Sequence, residues 1–132
     1  MSNSMQTEIY IKTNLFPAYP HEAEEINPGR FGKRLAAFVA EALKRGDIDV
    51  VDIYPTDSCY ELSIKQFEFD VYVQVGNFDG EQNEFLISIE PKKAYVRKWF
   101  KKILTIEAVK SVYESIFKAC SENAKFELMN NE

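Results

Sequence analysis

The chain has 132 residues, of which 45% are hydrophobic and 28% are charged, and its formal net charge is −5. This composition excludes an intrinsically disordered chain, and the length fits one domain with a single core. The negative charge opposes general attraction to nucleic acid or to an anionic membrane, so we expect neither as a partner. The first ten residues do not look like a secretory signal, and no segment is apolar enough to span a membrane, which predicts a cytoplasmic location.

The first third of the chain predicts one strand and one helix. Period-two alternation of apolar residues predicts a strand from about Gln6 to Phe16. A loop follows, in which two prolines flank Tyr19. Asn27-Pro28-Gly29 is typical of a helix start, and apolar residues at helical spacing follow it. We expect Gly46 to end this helix as a left-handed cap.

The middle of the chain predicts a series of short strands. One runs from Ile48 to about Pro55, and Tyr60–Ile64 and Phe69–Val75 form a hairpin. Another begins at Glu84, after a turn-rich loop at 76–80, and stops before Pro91. Short connections between successive strands favour antiparallel pairing.

Two helices are predicted for the last third. The first spans about Tyr95 to Ile103, with Trp99 and Phe100 among its apolar residues. The second begins after Thr105 as N-cap and ends near residue 122, with Ile106, Val109, Val112, Ile116, Phe117 and Cys120 facing inward. A last extended segment around residues 126–128 packs against the domain.

The order of these elements predicts an α+β fold. We expect a single two-layer domain over residues 1–132, with a mostly antiparallel sheet of about five strands. Two or three helices should cover one face of the sheet and leave the other face more polar. Residues 1–5 and 129–132 are expected to be frayed ends.

A basic run near residue 100 is the most unusual local feature, since it holds six of the sixteen cations within eleven residues. The run consists of Lys92, Lys93, Arg97, Lys98, Lys101 and Lys102. On the predicted helix, the last four share one face. This face is either a patch for an acidic partner, a phosphate-bearing ligand or RNA, or a solvated surface that balances acidic residues elsewhere.

Aromatic side chains on the outer sheet face and on two loops are candidate contacts for a partner protein. Tyr10 and Tyr72 are predicted among short polar residues on the outer face, a composition that suits recognition as well as an ordinary solvated surface. Tyr19 lies in the proline-flanked loop, and Phe78 lies at the tip of the loop at 76–80.

An alternative hypothesis is a small-ligand or anion-binding domain. Arg30, Lys33 and Arg34 cluster near the start of the first helix, where they would hold a phosphate or a carboxylate. Glu61 and Glu90 on the outer face would be the carboxylate pair of a hydrolase, but the sequence shows no cleft for them. We therefore expect a non-catalytic domain, and a hydrolase is the less favoured hypothesis.

The cysteines and the single histidine form no recognisable metal or redox motif. Cys59 and Cys120 lack metal-binding spacing, and His21 lacks the converging ligands that a metal site needs. Two free thiols are expected, and a nucleophile and base formed by Cys59 and His21 is the alternative that spacing leaves open. The sequence predicts no metal and no cofactor.

Three segments give the chain a likeness to known proteins: Asn27-Pro28-Gly29-Arg30-Phe31-Gly32-Lys33-Arg34-Leu35-Ala36, Ile53-Tyr54-Pro55-Thr56-Asp57 and Val75-Gly76-Asn77. With them the chain resembles, over about residues 27–90, a family of small uncharacterised bacterial proteins. Those proteins have a Gly-Arg-Phe-Gly helix start and a Pro-Glu-Asp turn followed by tryptophans. Thr56 and Cys59-Tyr60 depart from that pattern. The resemblance implies a bacterial origin and brings no activity with it.

In size, charge and predicted fold the chain is also similar to immunity proteins, which neutralise partner toxins. That similarity and the lack of a catalytic motif favour an interaction domain, immunity-like or adaptor-like. We expect it to bind another protein and to be a monomer or a homodimer.

Overall fold

The computed structural model describes residues 6–20, 22, 31–78, 81–123 and 125–129. Within these ranges the chain forms eight strands and two helices. In chain order the elements are β1 (Glu8–Lys12), α1 (Lys33–Arg45), β2 (Asp52–Pro55), β3 (Tyr60–Ile64), β4 (Val71–Asn77), β5 (Glu84–Glu90), β6 (Tyr95–Lys98), β7 (Lys101–Leu104), α2 (Ile106–Ser121) and β8 (Glu127–Met129).

Six of the strands form one antiparallel sheet in the order β2-β3-β4-β5-β1-β8, and β6 and β7 pair as a separate two-stranded sheet. The four strands from β2 to β5 are neighbours in sequence and in space, as their short connections require. The predicted α+β class with a mostly antiparallel sheet is confirmed. The main sheet has one strand more than expected, and the described chain has two helices.

The core lies between the two helices and one face of the sheet. Alternate residues of β4, namely Val71, Val73 and Val75, are fully buried there. Leu35 of α1 and Val112 of α2 belong to the same buried cluster. Removing such side chains from water contributes about 25 cal/mol per Å² of apolar surface, which makes this layer the main source of stability.

The N-terminus of α1 is capped by Glu22, a residue of the preceding loop. Gly32 occupies the N-cap position and has no side chain to cap the helix. The Glu22 carboxylate, which is 2% exposed, accepts hydrogen bonds from the backbone N–H groups of Gly32 at 2.6 Å, Lys33 at 2.7 Å and Tyr19 at 2.9 Å. A carboxylate at this place satisfies amides that have no partner within the helix and interacts favourably with the helix dipole. The predicted helix start at 27–29 lies outside the described residues.

The residues before α1 lie directly against the end of β4. The Phe31 N–H donates to Asn77 Oδ1 at 2.9 Å, and the Asn77 N–H donates to the Phe31 carbonyl at 2.8 Å. A Cβ at Gly32 would lie 2.9 Å from the Val75 carbonyl oxygen and 3.0 Å from Gly76 Cα. Because these are backbone atoms, close packing requires a glycine at position 32. Two of the three segments that carry the family resemblance therefore meet in one structural contact.

The C-terminus of α1 differs from the prediction. Gly46 has a φ of −95°, and the left-handed residue is Asp47, with a φ of 63°. The N–H groups of Asp47 and Ile48 donate to carbonyls of the last helical turn, as in a Schellman motif. A Cβ at Gly46 would collide with Ser115 Oγ of α2. This glycine therefore permits the close approach of α2 and does not supply a left-handed cap.

Several predicted boundaries also change. β1 is shorter than the predicted strand at 6–16, and β2 begins only at Asp52 because Ile48 packs into the core from the preceding connection. Met129 pairs with Tyr10 in β8, so the prediction of fraying at 129 is wrong, whereas residues 1–5 and 130–132 lie outside the described ranges. Val109, Val112, Ile116 and Cys120 of α2 face inward as predicted, but Ile106 and Phe117, at the edges of that stripe, are each more than one-third exposed.

The largest correction concerns residues 95–103, which were predicted as a helix and form the β6–β7 hairpin. The apolar residues of this segment fit helical spacing, but they pair across two strands. Val96 and Ile103 are partners in the ribbon, and Ile103 is buried against the domain. Trp99 and Phe100 lie in the turn and not on a buried helix face.

We predict that replacing Glu22 by alanine lowers the free energy of unfolding by about 3 kcal/mol, because amides at the start of α1 lose a charged acceptor. Urea unfolding followed by circular dichroism measures the effect. Glu41→Ala is the control, since Glu41 is an exposed residue of the same helix. Equal unfolding midpoints for the two variants would refute the assignment of Glu22 as the cap.

Candidate functional site

The β6–β7 hairpin turns through Trp99 and Phe100, which lie between the paired residues Lys98 and Lys101. The Trp99 side chain is 89% exposed and that of Phe100 is 99% exposed. Among the described residues, no other large hydrophobic side chain is as exposed as these two. An exposed aromatic pair on a protruding turn is typical of a surface that contacts a partner.

The backbone of the turn is unfavourable for the residue that it contains. Two-residue hairpin turns prefer glycine or asparagine where φ is positive. Trp99 has a φ of 64°. A bulky residue in this conformation costs on the order of 1 kcal/mol. Local stability therefore disfavours tryptophan here, which points to a role for its side chain outside the turn.

The charges of the hairpin are also arranged against local stability. Arg97 lies opposite Lys102, and Lys98 lies opposite Lys101, so two successive cross-strand pairs have like charges. Like charges directly opposite each other destabilise a pair of strands. An anionic partner would relieve this repulsion.

The outer face of the hairpin combines cations with apolar side chains. Tyr95 and Leu104 are cross-strand partners on this face, together with Arg97 and Lys102. The Lys102 ammonium lies 4.5 Å and the Arg97 guanidinium 5.6 Å from the centre of the Tyr95 ring. Leu104 is 68% exposed. The cations are thus held beside an exposed apolar surface.

The inner face of the hairpin overhangs the β3–β4 connection. Lys101 Nζ lies 3.9 Å from Glu68 Oε2, and Lys98 Nζ donates to the Glu68 carbonyl at 3.4 Å. Both partners of this ion pair are about seven-tenths exposed, so the pair contributes at most about 1 kcal/mol. A cleft of about 350 Å³, lined by Glu68, Lys98, Trp99, Lys101 and Ile103, separates this face from the domain.

The hairpin is a positive element on an acidic domain. Residues 92–102 contain six cations and no acidic residue, whereas the remainder of the chain has ten cations and twenty-one acidic residues. The single helical face expected for Arg97, Lys98, Lys101 and Lys102 is wrong. The strands place two of these cations on each face of the ribbon. Lys92 lies apart from them on the outer sheet face, where its Nζ donates to Ser88 Oγ at 2.7 Å.

The aromatic residues predicted on the outer sheet face lie in two places. Tyr10 and Phe78 contact each other edge to face, with ring centres 5.3 Å apart. Tyr72 is two strands from Tyr10, and its hydroxyl donates to Asp70 at 3.2 Å. A shallow depression of about 340 Å³ lies beside Phe78, with Gly76 in its lining.

The two carboxylates considered for a hydrolase are not brought together. Glu61 lies on β3 and Glu90 on β5, with β4 between them and an offset of two residues along the strands, which separates their backbones by about 12 Å. Glu61 accepts hydrogen bonds from the Tyr54 hydroxyl at 2.5 Å and from Gln74 Nε2 at 3.1 Å. The bond to Glu61 raises the pKa of Tyr54. This carboxylate is part of a hydrogen-bonded group on the outer sheet face.

The predicted anion site at the start of α1 already holds an internal carboxylate. Glu22 occupies the amides that a bound phosphate would use. The Arg34 guanidinium stacks 3.9 Å from the centre of the Tyr19 ring and donates to the Pro17 carbonyl at 2.9 Å. Lys33 is exposed beside them, and Arg30 lies outside the described residues.

The two free cysteines differ in burial. Cys120 is buried, and burial raises the pKa of its thiol to about 12. Cys59 is half-buried, with its Sγ 3.3 Å from Thr56 Oγ1, and His21 lies outside the described ranges. Where the chain is described, no group of three or more histidine, cysteine, aspartate or glutamate side chains is placed to hold a metal ion.

Comparisons with protein-family models, with curated proteins and with solved structures find no match to this chain. The resemblance to small bacterial proteins therefore stays a prediction. Neither described helix has the length and apolar character to cross a membrane.

We predict that Trp99→Gly raises the melting temperature by about 3 °C, because glycine adopts the positive φ of this position without strain. Circular dichroism measures the transition, since the variant lacks the only tryptophan of the chain. Phe100→Gly is the control, because its φ is not positive and glycine there brings only added flexibility. A melting temperature of Trp99→Gly at or below that of the wild type would contradict the strain argument.

We expect iodoacetamide to modify only Cys59 in the folded protein at neutral pH and both cysteines in urea. The Cys120 thiol is buried and protonated, so it is neither accessible nor nucleophilic. Intact-mass measurement and peptide mapping give the stoichiometry and the site, and Cys59→Ser should show no native modification. Equal native rates at the two cysteines would show that Cys120, on the inner side of α2, is not buried as described.

Proposed function

We propose that this chain is a non-catalytic protein-interaction domain, immunity-like or adaptor-like, that binds an acidic partner protein through the tip of the β6–β7 hairpin. The observation that carries the proposal is the exposed Trp99-Phe100 pair flanked by four cations. As the sequence predicts, we place the domain in the cytoplasm, as a monomer or a homodimer.

The chemistry of the hairpin suits a protein interface. Tryptophan and arginine are enriched among the residues that dominate binding energy, and aromatic residues are enriched at interface cores. Full burial of two aromatic side chains is worth on the order of 8 kcal/mol before the costs of association are subtracted. The cations would steer an acidic partner toward the tip and accelerate the encounter.

The other candidate contacts are secondary in this proposal. Tyr10 is packed against Phe78, and the Tyr19 ring lies under a guanidinium, so each already has a neighbour within the domain. The Tyr72 hydroxyl donates to Asp70, and Lys65 Nζ lies 5.9 Å from the centre of the Tyr72 ring. A partner that first binds the hairpin would use these residues only if it also reaches the sheet face or the loop.

A second candidate function, a small-ligand-binding domain, rests on the depression over Gly76. Its lining includes Gln74 and Ser88 as polar groups and Leu86 as an apolar one. A ligand that binds there would raise the melting temperature in a screen of metabolites, and Leu86→Ala would reduce the shift by removing the apolar side chain of the lining.

We predict that the wild-type chain captures one protein from lysate of the native host at low salt, and that hairpin variants lose it. The tip variant carries Trp99→Ser and Phe100→Ser, which remove the apolar contact. A second variant reverses the charge of all four cations at residues 97, 98, 101 and 102. The captured protein is identified by mass spectrometry, purified, and its dissociation constant measured by calorimetry.

The matched control reverses four exposed lysines outside the hairpin, Lys12, Lys44, Lys110 and Lys125. We expect this control to retain the partner, because the net charge changes equally but the hairpin is intact. Capture by both hairpin variants as well as by the control would place the contact elsewhere. Failure of the wild type to capture any protein would overturn the proposed function.

A further inference from the structure

We infer that the partner holds the β6–β7 hairpin endwise, tip first, in a cleft. The floor of this cleft, which contacts the tip, is apolar, and its two side walls are acidic. Its lip, the rim around the opening, is apolar. This inference rests on the proposed function and specifies the chemistry of the partner surface. It follows from how charge and apolar surface are distributed around and along the hairpin.

The hairpin is cationic on both of its faces. Arg97 and Lys102 lie on the outer face, Lys98 and Lys101 lie on the inner face, and all four are exposed. A ribbon laid flat on a partner would use the cations of only one face. Acidic groups on two opposite walls are needed to compensate both pairs, and a cleft supplies such walls.

The inner face is open to such a wall. The cleft of about 350 Å³ between this face and the β3–β4 connection separates the tip half of the ribbon from the domain. Ile103, at the base of the ribbon, is buried, whereas the side chains of residues 97–102 are exposed. The tip half can therefore enter a partner when the contacts of Lys98 and Lys101 with Glu68 are exchanged for contacts with the partner.

Along its length the hairpin has three bands. Trp99 and Phe100 form an apolar tip, and two cross-strand pairs of cations follow it. The exposed Leu104 and its cross-strand partner Tyr95 form a second apolar band. At about 3.4 Å per residue, this second band lies about 13 Å behind the tip. A partner complementary to all three bands needs an apolar surface at two depths and acidic groups between them.

This order favours a folded protein over the other anionic partners. A bilayer would bury the tip and surround the cations with headgroups, but would leave Leu104 in water. Single-stranded nucleic acid would stack on Trp99 and pair with the cations, and it also has no apolar group for Leu104. Only a protein cleft offers an apolar lip in addition to the floor.

Glu68 already occupies part of the place that the inner acidic wall would take. Its carboxylate lies 3.9 Å from Lys101 Nζ and its carbonyl accepts from Lys98. A carboxylate of the partner would have to compete with it. Removing the Glu68 charge should therefore strengthen binding if the inner face is used, and should have no effect if only the outer face is used.

The test measures the affinity of the purified captured partner for variants that change one face at a time. Arg97→Glu alters the outer face and Lys98→Glu the inner face. Each creates an opposite-charge pair across the ribbon. Because Lys98→Glu also loses the hydrogen bond to the Glu68 carbonyl, the free energy of unfolding of both variants is measured to show that lost binding is not due to unfolding. We expect each to weaken binding at least about tenfold.

Two further variants address the inner wall and the lip. We expect Glu68→Gln to tighten binding about threefold, the range of an exposed ion pair. We expect Leu104→Ser to weaken binding about tenfold, as for a residue buried in an interface. Leu15→Ser is the matched control for the latter, because Leu15 is an exposed leucine that follows β1.

Trp99 reports the depth of insertion, since it is the only tryptophan. We expect its emission to shift to shorter wavelength with the partner, and to change little with phosphatidylserine vesicles or with oligothymidylate. Effects confined to Arg97→Glu, with Glu68→Gln and Lys98→Glu at wild-type affinity, would overturn endwise binding while leaving the proposed function intact. An equal shift with vesicles or oligothymidylate, insensitive to Leu104→Ser, would overturn the protein cleft.

Discussion

The attachment of the start of α1 to the end of β4 is the contact on which the rest of the domain depends. Phe31 and Asn77 exchange two hydrogen bonds, and Gly32 lets the two backbones touch. The Glu22 carboxylate accepts hydrogen bonds from the backbone amides at the start of the helix. Because this contact fixes α1 on the sheet, it also fixes α2, which lies close against Gly46. Every buried side-chain polar atom in the described residues has a hydrogen-bond partner.

The sheet and helices of the domain are favourable for local stability, whereas the β6–β7 hairpin is unfavourable for it. In the sheet and helices, local propensity, burial and hydrogen bonding agree, which is how a sequence specifies one fold. In the hairpin, the positive φ of Trp99, the cross-strand pairs of like charge and the exposed Leu104 all act against local stability. A well-packed domain tolerates such a segment because its own core does not depend on it, and residues that stability disfavours are typical of functional surfaces.

The sequence predicted the elements whose pattern is local. The apolar alternation in β3, β4 and β5 fits only the period of a strand, and the apolar stripe of α1 fits only the period of a helix, so these elements could be predicted. The apolar residues of segment 95–104 fit the period of a helix and also that of a strand. The cations and apolar residues of this segment are arranged almost symmetrically about Trp99-Phe100, which is the signal of a hairpin. Without glycine or asparagine in the turn, that signal was weaker than the helical spacing of Val96, Trp99 and Ile103.

By itself, then, the sequence determined the α+β class, the central strands, both helices and the presence of a basic segment, because these depend on periodicity and composition within short windows. The tertiary structure alone decided that the basic segment is a ribbon, that its cations divide between two faces, and that Glu22 caps α1. These features join residues through cross-strand pairing and loop-to-helix hydrogen bonds. Their energies arise only when distant parts of the chain come together, so no local pattern contains them.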